Sequence, residues 1–498
     1  MRIALFNLLW VLGTGCFVHP ADPAGRACDE EHPCAGGRVC VQGLCVPDPF
    51  QGLGDGGQRD AGGSDGGRCQ SGEACTVGLG SCARQGVWVC EADASYCQGT
   101  PGSPSAEVCD GLDNDCDGRA DLSAEVPLVT PATNQNTQHF SWIYSPGGYS
   151  AVYASDRGGG PSVFFQRYDE ALARSGAEVE LADPAGKTST YPVISRLGDG
   201  GVAVWKDQTN ANVPRILVGR VDLVGNLIPS PLPDGGQGPL RRAFSNQDAL
   251  GPPHLAVAYD QRFMMVVWVS LQERLTAAVL NADGTVFRNP TVLTPTTLPD
   301  GGAPHVQKAH VSPVGDNDFL VGMTTFDDGA PTVTYQRYME TLAAVGAPVV
   351  YSASGGLFTT LRSVALPNPD GGRVENSAGA WVHADLSTTL QATPWVGMVS
   401  PAIEAGPAIG GSWAIDLVHT GPGLLLSWIE AENGELFAKR LGQPSVLKLT
   451  PMSQGTRTYV SGADPAVAVA DGGMAAMGYA LTRAGLGVSI YGQLFCLP

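Results

Sequence analysis

Residues 164–179, FFQRYDEALARSGAEV, and residues 334–349, TYQRYMETLAAVGAPV, decide the fold. They share Gln166/Gln336, Arg167/Arg337, Tyr168/Tyr338, Glu170/Glu340 and Leu172/Leu342. They also share Ala173/Ala343, Gly176/Gly346, Ala177/Ala347 and Val179/Val349, every pair at an offset of 170 residues. Each copy begins as an alternating strand and runs into a turn. Shorter echoes stand at 217–226 (LVGRVDLVGN), 437–445 (FAKRLGQPS) and 490–494 (IYGQL).

Working outward, apolar β-rich runs end at Tyr153, Trp205, Trp268, Met323, Trp381, Trp428 and Tyr479. Successive spacings lie between 47 residues (Trp381 to Trp428) and 63 residues (Trp205 to Trp268). A unit near fifty residues matches a propeller blade of about four strands, and three such units span the 170-residue offset. Asp-Gly-Gly begins at 199, 234, 300, 370 and 471, and both residue types tolerate the positive φ of tight turns. The expected fold class is therefore all-β: a seven-bladed β-propeller over 127–498, preceded by small disulfide-rich modules. Six or eight blades are the neighbouring counts, and a pair of β-sandwiches is the competing arrangement.

Composition agrees with this reading. With 66 Gly and 37 Pro but only 15% charged residues, the chain suits short strands and turns better than long helices. A formal charge of −19 argues against binding DNA or RNA, so no nucleic-acid partner is expected.

The N-terminal part reads as exported. Met1-Arg2 precedes an apolar run from Ile3 to Leu12, too short to span a bilayer, so residues 1–15 are expected to be a signal peptide of the lipoprotein type. Cys16 resembles the acylated cysteine of bacterial lipoproteins. The chain has 13 cysteines, and lipid on Cys16 would leave an even 12 for disulfides; ordinary cleavage with one free thiol is the alternative. Residues 16–48 hold Cys28, Cys34, Cys40 and Cys45, read as a disulfide knot in preference to a zinc site because no CxxC pair is present. Residues 49–67 are a Gly/Asp-rich linker. A literal GxSxG at 62–66 lies inside it, without the strand and helix that a nucleophile elbow needs. Residues 68–126 form a second module with Cys69, Cys75, Cys82, Cys90, Cys97, Cys109 and Cys116, an odd set of seven. Cys496 is expected to pair back into it and staple the ring.

The strongest chemical signal runs from Glu107 to Asp121, EVCDGLDNDCDGRAD. Asp113, Asp115 and Asp117 alternate, Gly118 permits a sharp turn, the Arg119 carbonyl falls at the seventh loop position and Asp121 at the ninth. Hard oxygen donors in that order suit a structural Ca²⁺. Cys109 and Cys116 are expected to bridge across the first half of the loop. The stretch resembles the MopE-type metal-binding motif, E-x-C-D-G-x-D-N-D-C-D-G, of myxobacterial-type surface lipoproteins. That resemblance implies a surface protein with a Cys-rich lead-in and a large β domain, and no shared activity.

For catalysis the sequence assigns no residue. The eight histidines form no HExxH pair, with His305 and His310 five apart, and no repeated Asp-box turn is present. The expectation is a non-enzymatic binding or scaffold protein, held to the outer membrane or cell surface through Cys16 and meeting an extracellular protein or glycan ligand. The alternative is an exported hydrolase built from propeller loops and acting on glycans. Acidic and aromatic side chains gathered at the channel mouth would favour the second.

Overall fold

The structure is a computed structural model that describes residues 38–41, 44–47 and 71–497. Within the last span it omits 91–94, 124, 131–135, 158–159, 183–187, 209–214, 233, 246, 248, 294–304, 328–329, 353–356, 367–375, 385–388, 394–402, 408–413, 421–422, 430–434, 441–445, 450–456, 460–464, 471–472 and 484–487. The expected signal peptide, Cys16, Cys28, Cys34, the linker with its GxSxG, and Cys69 lie outside the described residues.

Two compact units are present, 1–78 with 83–101 and 79–82 with 102–498. The first contains a hairpin, Arg38–Val41 with Leu44–Pro47, in which Cys40 stands opposite Cys45. It also contains a three-stranded sheet of Ala74–Val77, Arg84–Cys90 and Ser95–Gln98. A Cys75–Cys97 disulfide crosses that sheet, and Cys90 is disulfide-bonded as well. Such small sheets bury little apolar surface, so covalent links supply what a core would.

The second unit is a seven-bladed propeller. Blades 1 to 6 open with Thr137–Ser145, Ser189–Leu197, His254–Val257, Val306–Pro313, Leu357–Leu366 and Ala414–Thr420, and each continues outward through antiparallel neighbours. The first strand of blade 7 is Ala466–Val469. First strands touch one another in chain order, and the seventh returns to the first, which closes the ring. Second strands lie between neighbouring blades on both faces and carry apolar runs; that of blade 3, Phe263–Val269, FMMVVWV, is wholly buried. Outer strands such as Arg174–Glu180 and Val286–Val292 are mostly exposed, with charges that discourage further pairing. The buried clusters sit at blade joints; Val204, Ile216, Met264 and Trp268, for instance, pack blade 2 on blade 3. A Cβ at Gly478 of blade 7 would collide with the Phe140 ring of blade 1, so this close approach requires glycine.

The repeated segment is the third-to-fourth strand hairpin of blades 1 and 4, and its shared residues do the same work twice. Gln166 Nε2 donates to the carbonyls of Arg167 (2.8 Å) and Gly176 (3.3 Å). Gln336 Nε2 donates to those of Arg337 (3.0 Å) and Gly346 (3.3 Å). Tyr168 OH reaches the Leu128 carbonyl and Tyr338 OH the Leu293 carbonyl, each on the outer side of the preceding blade. Leu172 and Leu342 both adopt positive φ, at 63° and 66°, in the turn between the strands.

Blade 7 is completed from the other end of the chain. Val126–Val129 pairs with Val488–Cys496, outside Met474–Arg483. Cys496 forms a disulfide with Cys109, while Cys116 pairs with Cys82. The expected Cys109–Cys116 bridge is thus corrected: the loop is tied at one end to the last strand and at the other to Gly80–Cys82. Residues 102–126, grouped by sequence with the Cys-rich module, belong to the propeller unit. A Cys109→Ser/Cys496→Ser variant should lose about 2–4 kcal/mol of stability, read from urea unfolding, and reductant, which opens the other disulfides too, should remove at least that much from the parent. An unchanged midpoint in both would show that strand pairing closes the ring without the disulfide.

Candidate functional site

Two places in the propeller unit gather functional side chains. The first is the acidic loop. Glu107, Asp113 and Asp115 bring carboxylate oxygens within 4.8 Å of one another, and Glu107 and Asp113 are only 5% and 8% exposed. Glu107 Oε1 accepts the Asn114 and Asp115 amides, each at 2.7 Å, and Oε2 accepts that of Asp121 at 3.1 Å. Burial pushes the Glu107 carboxyl upward and the Asp115 and Asp113 charges add to it, against the pull of its amide bonds. Asp113 accepts the Asp117 and Gly118 amides.

The other two sequence-predicted carboxylates are turned to other partners. The Asp117 carboxylate faces the Arg119 guanidinium at 2.9 Å. Asp121 Oδ1 accepts the Asp110 and Gly111 amides at 3.0 and 2.9 Å, with φ of 58°. Arg119 also reaches the Leu449 and Ser123 carbonyls through its side chain. The donor set that converges is therefore Glu107, Asp113 and Asp115: three hard oxygens able to hold a divalent cation, with water to complete its shell.

The second place is the axial channel, and strand register builds it. In every blade the residue just before the second-strand aromatic (Met323 in blade 4) pairs across to the first strand. These pairs are Val152 with Ser141, Val204 with Val193, Val267 with His254, and Gly322 with His310. Ala380 with Arg362, Ser427 with Asp416, and Gly478 with Ala466 complete them. Seven equivalent positions thus form one level of the ring, and all seven line a cavity of about 420 Å³. Four consecutive blades place His254, His310, Arg362 and Asp416 there.

Their geometry makes one connected arc. The two imidazole centroids are 4.9 Å apart. Arg362 Nε lies 3.6 Å from Asp416 Oδ1, with the side chains 12% and 18% exposed. Asp416 is held from two sides, Oδ2 by the Val467 amide at 2.8 Å and Oδ1 by that of Leu417 at 3.0 Å. The Arg362 carbonyl accepts from Tyr335 OH at 3.0 Å, which fixes its strand. Burial holds both imidazoles well below their ordinary range. The Arg362 charge adds to this at both, Lys308 at His254, and His254 at His310.

On the opposite arc, blades 1 and 2 supply His139 and Tyr191, whose rings lie 4.0 Å apart. Both have positive φ, 53° and 56°, where the first strand bulges against the second. The first strands of blades 4 and 5 shift register near the same end. Bulges re-aim side chains, and strained non-glycine residues of this kind gather at binding sites. Trp142 lines the same cavity, its indole N–H fixed on the Ala466 carbonyl at 2.9 Å.

No family model and no curated protein matches the chain. Solved structures with similar architecture include the polysaccharide lyase Uly1, 11% identical over 77% of this chain and 93% of that one, with a TM-score of 0.45. Another is the catalytic domain of the Coprinopsis cinerea GH62 α-L-arabinofuranosidase, 12% identical over 76% and 96%, TM-score 0.32. A third, YCF48 bound to D1 peptide, is 11% identical over 76% and 96%, TM-score 0.42. At this distance the likenesses carry nothing about chemistry.

The expectation of a non-enzymatic binding or scaffold protein is corrected here. That reading goes with a bland, acidic face, whereas His254, His310, Arg362 and Asp416 meet in the channel beside Tyr191 and Trp142. Sequence reading missed the arc because its members are 52 to 56 residues apart along the chain.

The neutral imidazoles have a thermodynamic consequence. The unfolded chain protonates His254 and His310 at ordinary pH while the fold resists it, so below the ordinary imidazole range the unfolded state binds more protons. Stability therefore falls as pH drops from about 7 to 5. A His254→Asn/His310→Asn variant should show a shallower fall of its urea midpoint over that interval, with Arg362, Lys308 and Asp416 intact. Parallel slopes would show that the imidazoles are not held neutral.

Proposed function

We infer that the chain is an exported enzyme that acts on glycans in its axial cavity. One observation carries this: four consecutive blades deliver two imidazoles, a guanidinium and a carboxylate to a single level of the channel. Imidazoles serve as general bases and acids, the charged groups orient a polar substrate, and the Trp142, Tyr191 and His139 rings offer faces against which sugars pack. The bulged first strands support the reading, since such strain commonly accompanies binding sites.

The test is release of reducing ends from a panel of neutral and acidic polysaccharides by the purified protein. Arg362→Ala should lower kcat/KM by about a hundredfold while circular dichroism stays unchanged. A parent protein inert on the whole panel would sink the reading.

Export, lipid attachment at Cys16 and outer-membrane or surface placement belong to the same proposal. They rest on the N-terminal apolar run, cysteine parity and the MopE-type resemblance. The acidic loop, in this reading, holds Ca²⁺ as a structural ion, since three hard oxygens and a partly buried, amide-braced setting suit it. Calorimetric titration of the full chain with CaCl₂ should show one site. Glu107→Gln or Asp113→Asn should weaken it by about tenfold or more. Absence of heat with Ca²⁺ together with binding of a transition metal would refute the assignment.

A further inference from the structure

Resting on that reading of the cavity, we propose that the arc cleaves a uronate-containing glycan by β-elimination, with Arg362 holding the uronate carboxylate and the His254/His310 pair supplying the base. Hydrolysis of a glycoside by the usual route needs two carboxyl groups flanking the bond, one as acid and the other as base or nucleophile. Among the described residues that line the cavity, Asp416 is the sole carboxylate. It is committed to the Val467 and Leu417 amides and lies beside Arg362, a setting that anchors it. A carboxylate held in this way orients a neighbour.

Elimination asks for a different set. It needs one neutral base near the carbon α to the carboxylate and one cation on that carboxylate, which withdraws charge and acidifies the C5 hydrogen. The cavity has both. His254 and His310 stand with ring centroids 4.9 Å apart, so one can take a proton while the other stays neutral beside it. Arg362 occupies the next equivalent position around the ring, and a guanidinium matches a carboxylate's two oxygens. The lining also has a local charge opposite to that of the molecule. Among the described lining residues Arg196 and Arg362 face a single carboxylate, in a chain of formal charge −19. A cationic pocket in an acidic protein selects an anionic ligand over a neutral one.

The electron flow closes without any co-reactant. The imidazole takes H5 as a proton, the C5–H pair becomes the C4=C5 bond, and the C4–O bond breaks with its pair on the leaving oxygen. That oxygen receives the proton back from the imidazolium. The products are a 4,5-unsaturated uronate and a chain with a new reducing end; water is not consumed.

The experiment incubates the full, oxidised protein with polygalacturonate, alginate and a glucuronate-containing glycan, and in parallel with neutral xylan and arabinan. Ultraviolet absorbance of the conjugated uronate and reducing ends are followed together. Equal rises in both on an acidic glycan are the expected result. Reducing ends without absorbance would overturn elimination and leave the glycan-cleaving enzyme standing. No product from any of the five would overturn both. In a cleaving preparation, Arg362→Lys should raise KM for the uronate glycan at least tenfold with a smaller change in kcat. His254→Gln or His310→Gln should lower kcat at least a hundredfold with KM little changed. Full activity in both histidine variants would overturn the assignment of the base, even if a folding defect obscured the arginine result.

Discussion

The pairing of Val126–Val129 onto Val488–Cys496 is the contact that the other blade joints presuppose. A propeller buries each blade between two neighbours, so an open joint would expose two apolar faces at once. Here the joint between blades 7 and 1 is packed with Phe140, Trp142, Tyr149, Ile490 and Leu128. The closing strand belongs to both sides of it. Its backbone pairs with blade 7, and its Leu128 carbonyl accepts from Tyr168 and Arg174 of blade 1. Just upstream, Ser123 exchanges hydrogen bonds with Leu494 and Gln493, and Cys496 donates its amide to the Asp121 carbonyl. The acidic loop is thus part of the clasp. Its carboxylates brace backbone amides across a segment that would otherwise be irregular, and this gives the clasp its shape.

Closure in turn gives the channel its chemistry. Only when first strands stand side by side do His254, His310, Arg362 and Asp416 become neighbours, since no two of them share a blade. Seven equivalent positions, filled by Ser, Val, His, His, Arg, Asp and Ala, show how a repeated scaffold concentrates polar groups on one arc and leaves the rest small or apolar. The fixed groups are well buttressed: Asp416 by amides, Arg362 through Tyr335 on its strand, and Trp142 by blade 7. Sites placed on strands hold their geometry better than sites on loops.

Blade number was legible because each second strand carries an apolar run that ends in a large side chain, giving a period that survives sequence drift. The QRY repeat was legible because Gln166 and Gln336, and Tyr168 and Tyr338, have identical duties. The channel was not legible, because it depends on cross-strand register. Its residues lie twelve to fourteen places ahead of the marker aromatic, or Met323, in six blades, but nineteen ahead in blade 5, where a longer connection intervenes. In the acidic loop, alternation picked out Asp113 and Asp115, whose carboxylates converge. It could not show that Asp121 would turn to the Asp110 and Gly111 amides, or that Glu107, ahead of the alternating set, would fold across it. The one available signal was the glutamate at the head of the motif itself. Disulfide partners were illegible for the same reason: Cys109 meets Cys496 only after 387 residues have gone round a circle.

That circle has a topological meaning. Residues 109 to 496 form a covalent macrocycle, so a single protease cut in any blade-connecting loop opens it into a chain without releasing a piece. Two cuts would be needed to free a fragment, and the blade joints would still hold it by packing. The exposed turns at Asp199 and Asp234 can then be nicked once at little structural expense, so long as the disulfide stays oxidised.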